Sequence, residues 1–206
     1  MITARAIGVR FGGTTVLSDI DFDVAPGRVS GIIGRSGSGK TTLLQVLAGI
    51  RPPDAGVVRF GGSARAPRGS VAMIDQHPRL VCNPRWTLSQ IIREPADIMR
   101  RPVDPESYAA RTGLDSELLG RFPSQVSDGQ LQRACLARVL VQEPTYLLCD
   151  EPTAMLDPIA AADVASLLRS IAAEGVGMAL VSHDRTLVDQ MSVSYTHLTL
   201  PTTPYV

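Results

Sequence analysis

The nine residues 34–42, "GRSGSGKTT", restrict the fold of this chain more than any other stretch. They fit the pattern G-x-x-x-x-G-K-[ST] at Gly34, Gly39, Lys40 and Thr41. Context matters as much as the match. "VSGIIG" before the loop is a short apolar run of strand type. "KTTLLQVLAGI" after it has helical spacing and stops at Gly49 and Pro52. Glycines at 34, 37 and 39 let the backbone curl, so that N–H groups from Ser36, Ser38 and Thr42 point inward, and the helix N-terminus adds positive potential. Such a concavity suits phosphate, with Lys40 reaching the terminal phosphates and the Thr41 hydroxyl ligating Mg²⁺. A glycine–serine turn that binds nothing is the plain alternative, and the flanking strand and helix argue against it.

The remaining pattern alternates strand and helix. Residues 2–10 and 16–24 read as two strands joined at "FGGTT", and "GVVRF", "SVAMID", "TYLLCD" and "GMALVSH" add further strands. A helix is expected over Ala160–Ala173. From Pro78 to about Phe122, recurring prolines (Pro84, Pro95, Pro102, Pro105) separate short helical patterns, which reads as a helical insertion. Strand–helix alternation around it calls for a parallel sheet covered by helices. Twenty basic residues balance twenty acidic ones, which gives no pointer to nucleic acid or an anionic membrane. Cys82, Cys135 and Cys149 are widely spaced and form no CxxC pair, so neither a disulfide framework nor a zinc site is suggested. No stretch approaches 18 uninterrupted apolar residues.

"YLLCDE" places Asp150 at the end of an apolar strand with Glu151 just beyond. A strand-end Asp holds Mg²⁺ in P-loop NTPases, and an adjacent Glu can polarise an attacking water. "VSDGQLQR" (126–133) opens a helix with a capping-box spacing, Ser127 to Gln130, yet carries a glycine in its first turn, where alanine would be more stable.

Taken in order, these motifs resemble the ATP-binding cassette (ABC) ATPases. "VSDGQLQR" is similar to the family signature LSGGQ-x-QR, "YLLCDEP" to Walker B, "TAMLD" (153–157) to the D-loop and "SHD" (182–184) to the switch histidine, with Gln76 following a strand. The resemblance spans about residues 2–191. It implies an α/β fold: a P-loop NTPase core sheet of the RecA-like kind with an N-terminal antiparallel β subdomain, and a small helical subdomain at about 78–140. It also implies a head-to-tail dimer in which each ATP lies between one phosphate loop and the other cassette's Ser127, Gly129 and Gln130. Glu151, His183 and Gln76 would be catalytic; Thr41, Gln76 and Asp150 would serve the metal; Phe11 would stack on adenine, with a buried core Phe as the plain alternative. Asp157 would contact the partner cassette. Asp128 departs from the pattern, which more often has glycine, and is expected to point away from the nucleotide.

"NPRWTLSQIIREP" (83–95) resembles the segment after the Gln motif in ATPases of dipeptide, oligopeptide and nickel importers. That implies ATP hydrolysis on the cytoplasmic face of a membrane, with permease subunits as direct partners, a solute-binding protein as an indirect one, and no nucleic acid. Leu88, Ile91 and Ile92 are apolar there, with Ile91 and Ile92 read as core and Trp86 as the docking residue. A soluble non-transport ABC ATPase or an ATP-dependent switch is the alternative. Residues 1–192 form one domain on this reading. The stretch 193–206, rich in Thr and Pro, resembles a read-through tail, is expected to be non-native and to leave a sheet edge open, and assigns no role to His197.

Overall fold

The computed structural model describes residues 1–183, 185–191 and 194–198. β1 (Ile2–Phe11) and β2 (Thr14–Val24) pair antiparallel through a Gly12–Gly13 turn. β3 (Val29–Gly34) then leads through the phosphate loop into α1 (Lys40–Leu47). β4 (Ala55–Phe60) returns to the far edge of β1, giving an antiparallel sheet of order β2-β1-β4. β5 (Val71–Ile74) precedes the helical insertion: α2 (Pro78–Val81), α3 (Leu88–Met99), α4 (Pro105–Arg111) and α5 (Asp128–Val141). β6 (Tyr146–Asp150), α6 (Pro158–Ala173), β7 (Gly177–Val181), α7 (Arg185–Met191) and β8 (Ser194–Leu198) complete the order. The second sheet is parallel, of order β5-β6-β7-β3-β8.

Burial on both faces explains why β6 and β7 read as unbroken apolar runs. Successive residues on a strand face opposite ways, and the two cores divide them accordingly. Leu147, Cys149, Met178 and Leu180 pack with the helical insertion, whereas Tyr146, Leu148, Ala179 and Val181 pack with α1 and the antiparallel sheet. Burial between neighbouring strands also pushes the Cys149 thiol far above its ordinary pKa, so it stays protonated.

Two expectations need correction. Pro95 does not end a helix: α3 runs through it to Met99. A capping box at Thr87 and Gln90, together with a buried face of Leu88, Ile91, Ile92, Pro95 and Ala96, outweighs the one hydrogen bond that proline removes. Residues 194–198 pair in parallel with β3 and cover the strand edge that was expected to lie open. "SYTHL" is a proline-free run with strand-forming residues, which the Thr/Pro content of the longer segment obscures. Residues 199–206 lie outside the described part.

Leu88, Ile91 and Ile92 are all buried, which makes Leu88 core as well rather than interface. Ile92→Ala should cost about 2–5 kcal/mol, while Leu80→Ala, at a site 81% exposed, should stay within about 0.5 kcal/mol. Urea unfolding of both variants checks this.

Candidate active site

Period two along β6 decides where its charged end points. Leu148 faces α1, so Asp150, two residues on, faces the same way and meets the first turn of that helix. The Thr41 hydroxyl donates to Asp150 Oδ2 at 2.6 Å. Asp150 is 5% exposed, and burial, opposed by the Thr41 bond and Lys40, raises its carboxyl pKa.

The phosphate loop has the backbone that its glycines allow. Gly39 sits at φ +92°, and a Cβ there would lie 2.8 Å from Leu17 and 2.9 Å from Val16 of β2. Alanine fits neither the dihedral nor the space. Gly39 is also the N-cap of α1 and supplies no side-chain acceptor, so among the described residues no side chain caps the amides of the first turn, Thr41 and Thr42 included. The Lys40 ammonium is folded back on its own loop, donating to the Gly34 carbonyl at 3.0 Å and the Arg35 carbonyl at 3.1 Å. It lies 3.8 Å from Glu151 Oε1. Ser36 and Gly37 are exposed on the loop, Gly34 ends β3, and the Ser38 hydroxyl is buried with no hydrogen-bond partner among the described residues.

Glu151 holds the next layer together. Its Oε2 accepts from Gln76 Nε2 at 3.4 Å and is 3.0 Å from His183 Nδ1. Its backbone φ of +45° is left-handed, a strained state for a residue with a Cβ. The Glu151 amide donating to the Val181 carbonyl at 3.0 Å helps hold that turn. Gln76, Glu151 and His183 follow β5, β6 and β7, three adjacent strands, and the phosphate loop follows β3, the next. The carboxyl ends of neighbouring parallel strands thus gather groups from 34 to 183 in the sequence.

Two expected participants stand apart from this network. Phe11 is not a core residue: it is 46% exposed, with the Arg51 guanidinium 3.9 Å from its ring centre. Ser127 caps α5, its hydroxyl accepting from the Gln130 amide at 3.2 Å while Gln130 Oε1 accepts from the Ser127 amide at 2.9 Å. Among the described residues, neither Ser127 nor Gln130 hydrogen-bonds to the phosphate loop. The glycine in this first turn has a packing reason inside the chain, since a Cβ on Gly129 would meet the Ala160 Cβ of α6 at 3.2 Å. Asp157 caps α6, accepting from the amides of Ile159 and Ala160 at 3.0 Å each.

Three residues without an expected role tie these parts together. Gln132 Nε2 donates to the Pro152 carbonyl at 3.0 Å, fastening α5 to the turn after Glu151. Arg133 pairs with Asp163 of α6 at 2.7 Å. Arg79 donates to Asp128 Oδ1 at 2.7 Å, which turns the Asp128 carboxylate toward α2. The sequence signal was the carboxylate at 128, which needed a partner.

Thr41 and Asp150 offer two hard oxygen donors, a hydroxyl and a buried carboxylate, of the kind that suits Mg²⁺. A family model described as "ABC transporter" matches residues 17–154. The chain is 35% identical over 204 residues to the nickel import ATP-binding protein NikE of Rhodospirillum rubrum, spanning 91% of this chain and 73% of that protein. It is 32% identical over 196 residues to the glutamine transport ATP-binding protein GlnQ of Bacillus subtilis, spanning 89% and 81%. In structure it is similar to cbiO1 of Clostridium perfringens, described as part of the ABC transporter complex cbiONQ, with TM-score 0.85, 27% identity and 96% and 84% of the two chains covered.

Asp150→Asn keeps an acceptor for Thr41 and removes the buried charge. Because the carboxyl pKa is raised in the folded chain, ionised Asp150 costs stability above that pKa, and the cost disappears as pH falls through it. The variant should therefore melt above the unaltered chain at pH 7, with the gap closing in acid. Thermal melts across that range check the sign.

Proposed function

This chain belongs to the ABC transporter family, as an ATP-binding and ATP-hydrolysing subunit of the importer type, and on that premise we propose how its residues act and what it serves. The observation that carries the proposal is the linked set Lys40, Thr41, Asp150, Glu151, Gln76 and His183, joined by contacts of 2.6 to 3.8 Å at one end of the parallel sheet.

In this reading the uncapped amides of the phosphate loop and α1 receive the ATP phosphates. The Lys40 ammonium exchanges its two loop carbonyls for phosphate oxygens, a stronger partner for a buried cation. Thr41 and Asp150 hold Mg²⁺, which when bound neutralises phosphate charge. Glu151 orients water for attack, and Gln76 and His183, both on Glu151 Oε2, fix its carboxylate. Phe11, exposed at the end of β1, stacks on adenine. Ser127, Gly129 and Gln130 complete the site of a second cassette, which accounts for their separation from this chain's own loop. Asp157 lies at the same interface.

The partners are permease subunits, which place the chain at the cytoplasmic face of a membrane; no helix among the described residues is long and apolar enough to cross one. Leu80 and Val81, exposed on α2, and the half-buried Trp86 form the apolar surface for docking. For cargo, the segment 83–95 and the 35% identity to a nickel import protein support nickel or a small peptide.

Glu151→Gln should bind Mg-ATP and elute as a dimer that retains nucleotide, with hydrolysis reduced by at least about 10²-fold. Size-exclusion chromatography with nucleotide analysis decides. A monomer without bound nucleotide would overturn the reading.

A further inference from the structure

The carboxylate at 128 sits in the first turn of α5, whose start, on the dimeric reading, faces the partner cassette's phosphates. There it would repel what Ser127 and Gly129 are to bind. The side chain that removes this conflict is Arg79, and its geometry does more than neutralise a charge. Arg79 Nε donates to Asp128 Oδ1 at 2.7 Å, Nη1 to the Pro123 carbonyl at 2.6 Å and Nη2 to the Val126 carbonyl at 2.9 Å. One planar guanidinium thus grips the residues immediately before and after Ser127, and the turn that leads into them. A rigid fork with three acceptors sets orientation as well as distance, which a lysine could not do.

The other end of the connection lies at the catalytic carboxylate. Arg79 is three residues after Gln76, whose amide donates to Glu151. The intervening backbone is stiff: Pro78 is buried and opens α2, the His77 amide donates to Asp75 Oδ1 at 3.1 Å, and the Leu80 amide to the His77 carbonyl at 3.0 Å. At its far end α2 rests on α5 through the Cys82 and Cys135 sulfurs, 3.4 Å apart. This short, braced run is the path by which a shift of Gln76 would reach α2 and the guanidinium, and through it Val126–Asp128.

We propose that Arg79 is a positioning residue that couples Gln76 of one ATP site to the Ser127 helix start offered to the other, with Asp128 as its counter-ion. The inference rests on the dimeric reading above. As a stabilising ion pair the contact is minor, because both side chains are 44–45% exposed. Its effect falls on where the helix start stands and on the charge it presents.

The test compares Arg79→Gln, Asp128→Asn and the double variant, each in the Glu151→Gln background. Arg79→Gln frees the carboxylate and should raise the Mg-ATP concentration for half-maximal dimerisation at least about 10-fold. Adding Asp128→Asn removes the freed charge but does not restore the grip on the Pro123 and Val126 carbonyls. The double variant should therefore recover only part of that loss, whereas a residue that merely neutralised charge would be restored to the parent value. Amide exchange without nucleotide supplies an independent reading: Arg79→Gln should speed exchange over residues 127–131. Unchanged exchange, or a double variant that dimerises as readily as the Glu151→Gln parent, would overturn the proposal. If the Glu151→Gln parent fails to dimerise, the functional reading falls and the inference with it. If the parent dimerises and Arg79→Gln matches it, the inference alone falls.

Discussion

The hydrogen bond between Thr41 and Asp150 joins residues 109 apart in sequence, and the arrangement of the site depends on it. It forms because β6 is buried on both faces and β3 lies one strand beyond its neighbour β7, so that the start of α1 and the end of β6 come to the same edge. A buried carboxylate is costly in that setting unless it has partners. Thr41 and Lys40 provide them, while burial raises the Asp150 carboxyl pKa against their effect. A cation held by Thr41 and Asp150 would offset the remaining cost of burying that charge.

The two glycine-bearing helix starts show opposite solutions to one physical problem. At α1 the N-cap has no side-chain acceptor, and the first-turn amides are left for an anion. At α5 the capping box of Ser127 and Gln130 is complete, the glycine serves close packing on Ala160, and an acidic residue occupies the first turn. A helix start that is satisfied within its own chain can be carried to another molecule as a rigid unit. Arg79 and Gln132 fasten this segment at two points, one toward α2 and one toward the turn after Glu151.

Much of this was legible before any coordinates. The strands and the phosphate-loop helix follow from apolar runs ending in glycine, and the helical insertion from its prolines and short periods. Errors arose where local signals compete with packing. Pro95 looked like a helix end because the buried stripe on either side of it is visible only once α5 is in place. The Thr/Pro-rich terminus concealed five residues that complete the edge of β3. Phe11 could have been core or surface, and only its position at the end of β1 beside Arg51 decides.

The sequence by itself determined the chemistry: which residues can grip phosphate, hold a hard cation, polarise water or cap a helix, since these depend on side-chain type and short spacing. Only the tertiary structure decided which of them meet. Gln76, Glu151 and His183 share one carboxylate oxygen because β5, β6 and β7 are neighbours in the sheet, and strand order is a long-range property that no local pattern encodes. The same holds for Asp128, whose odd charge in the sequence acquires a reason only when folding brings Arg79 to it from 49 residues away.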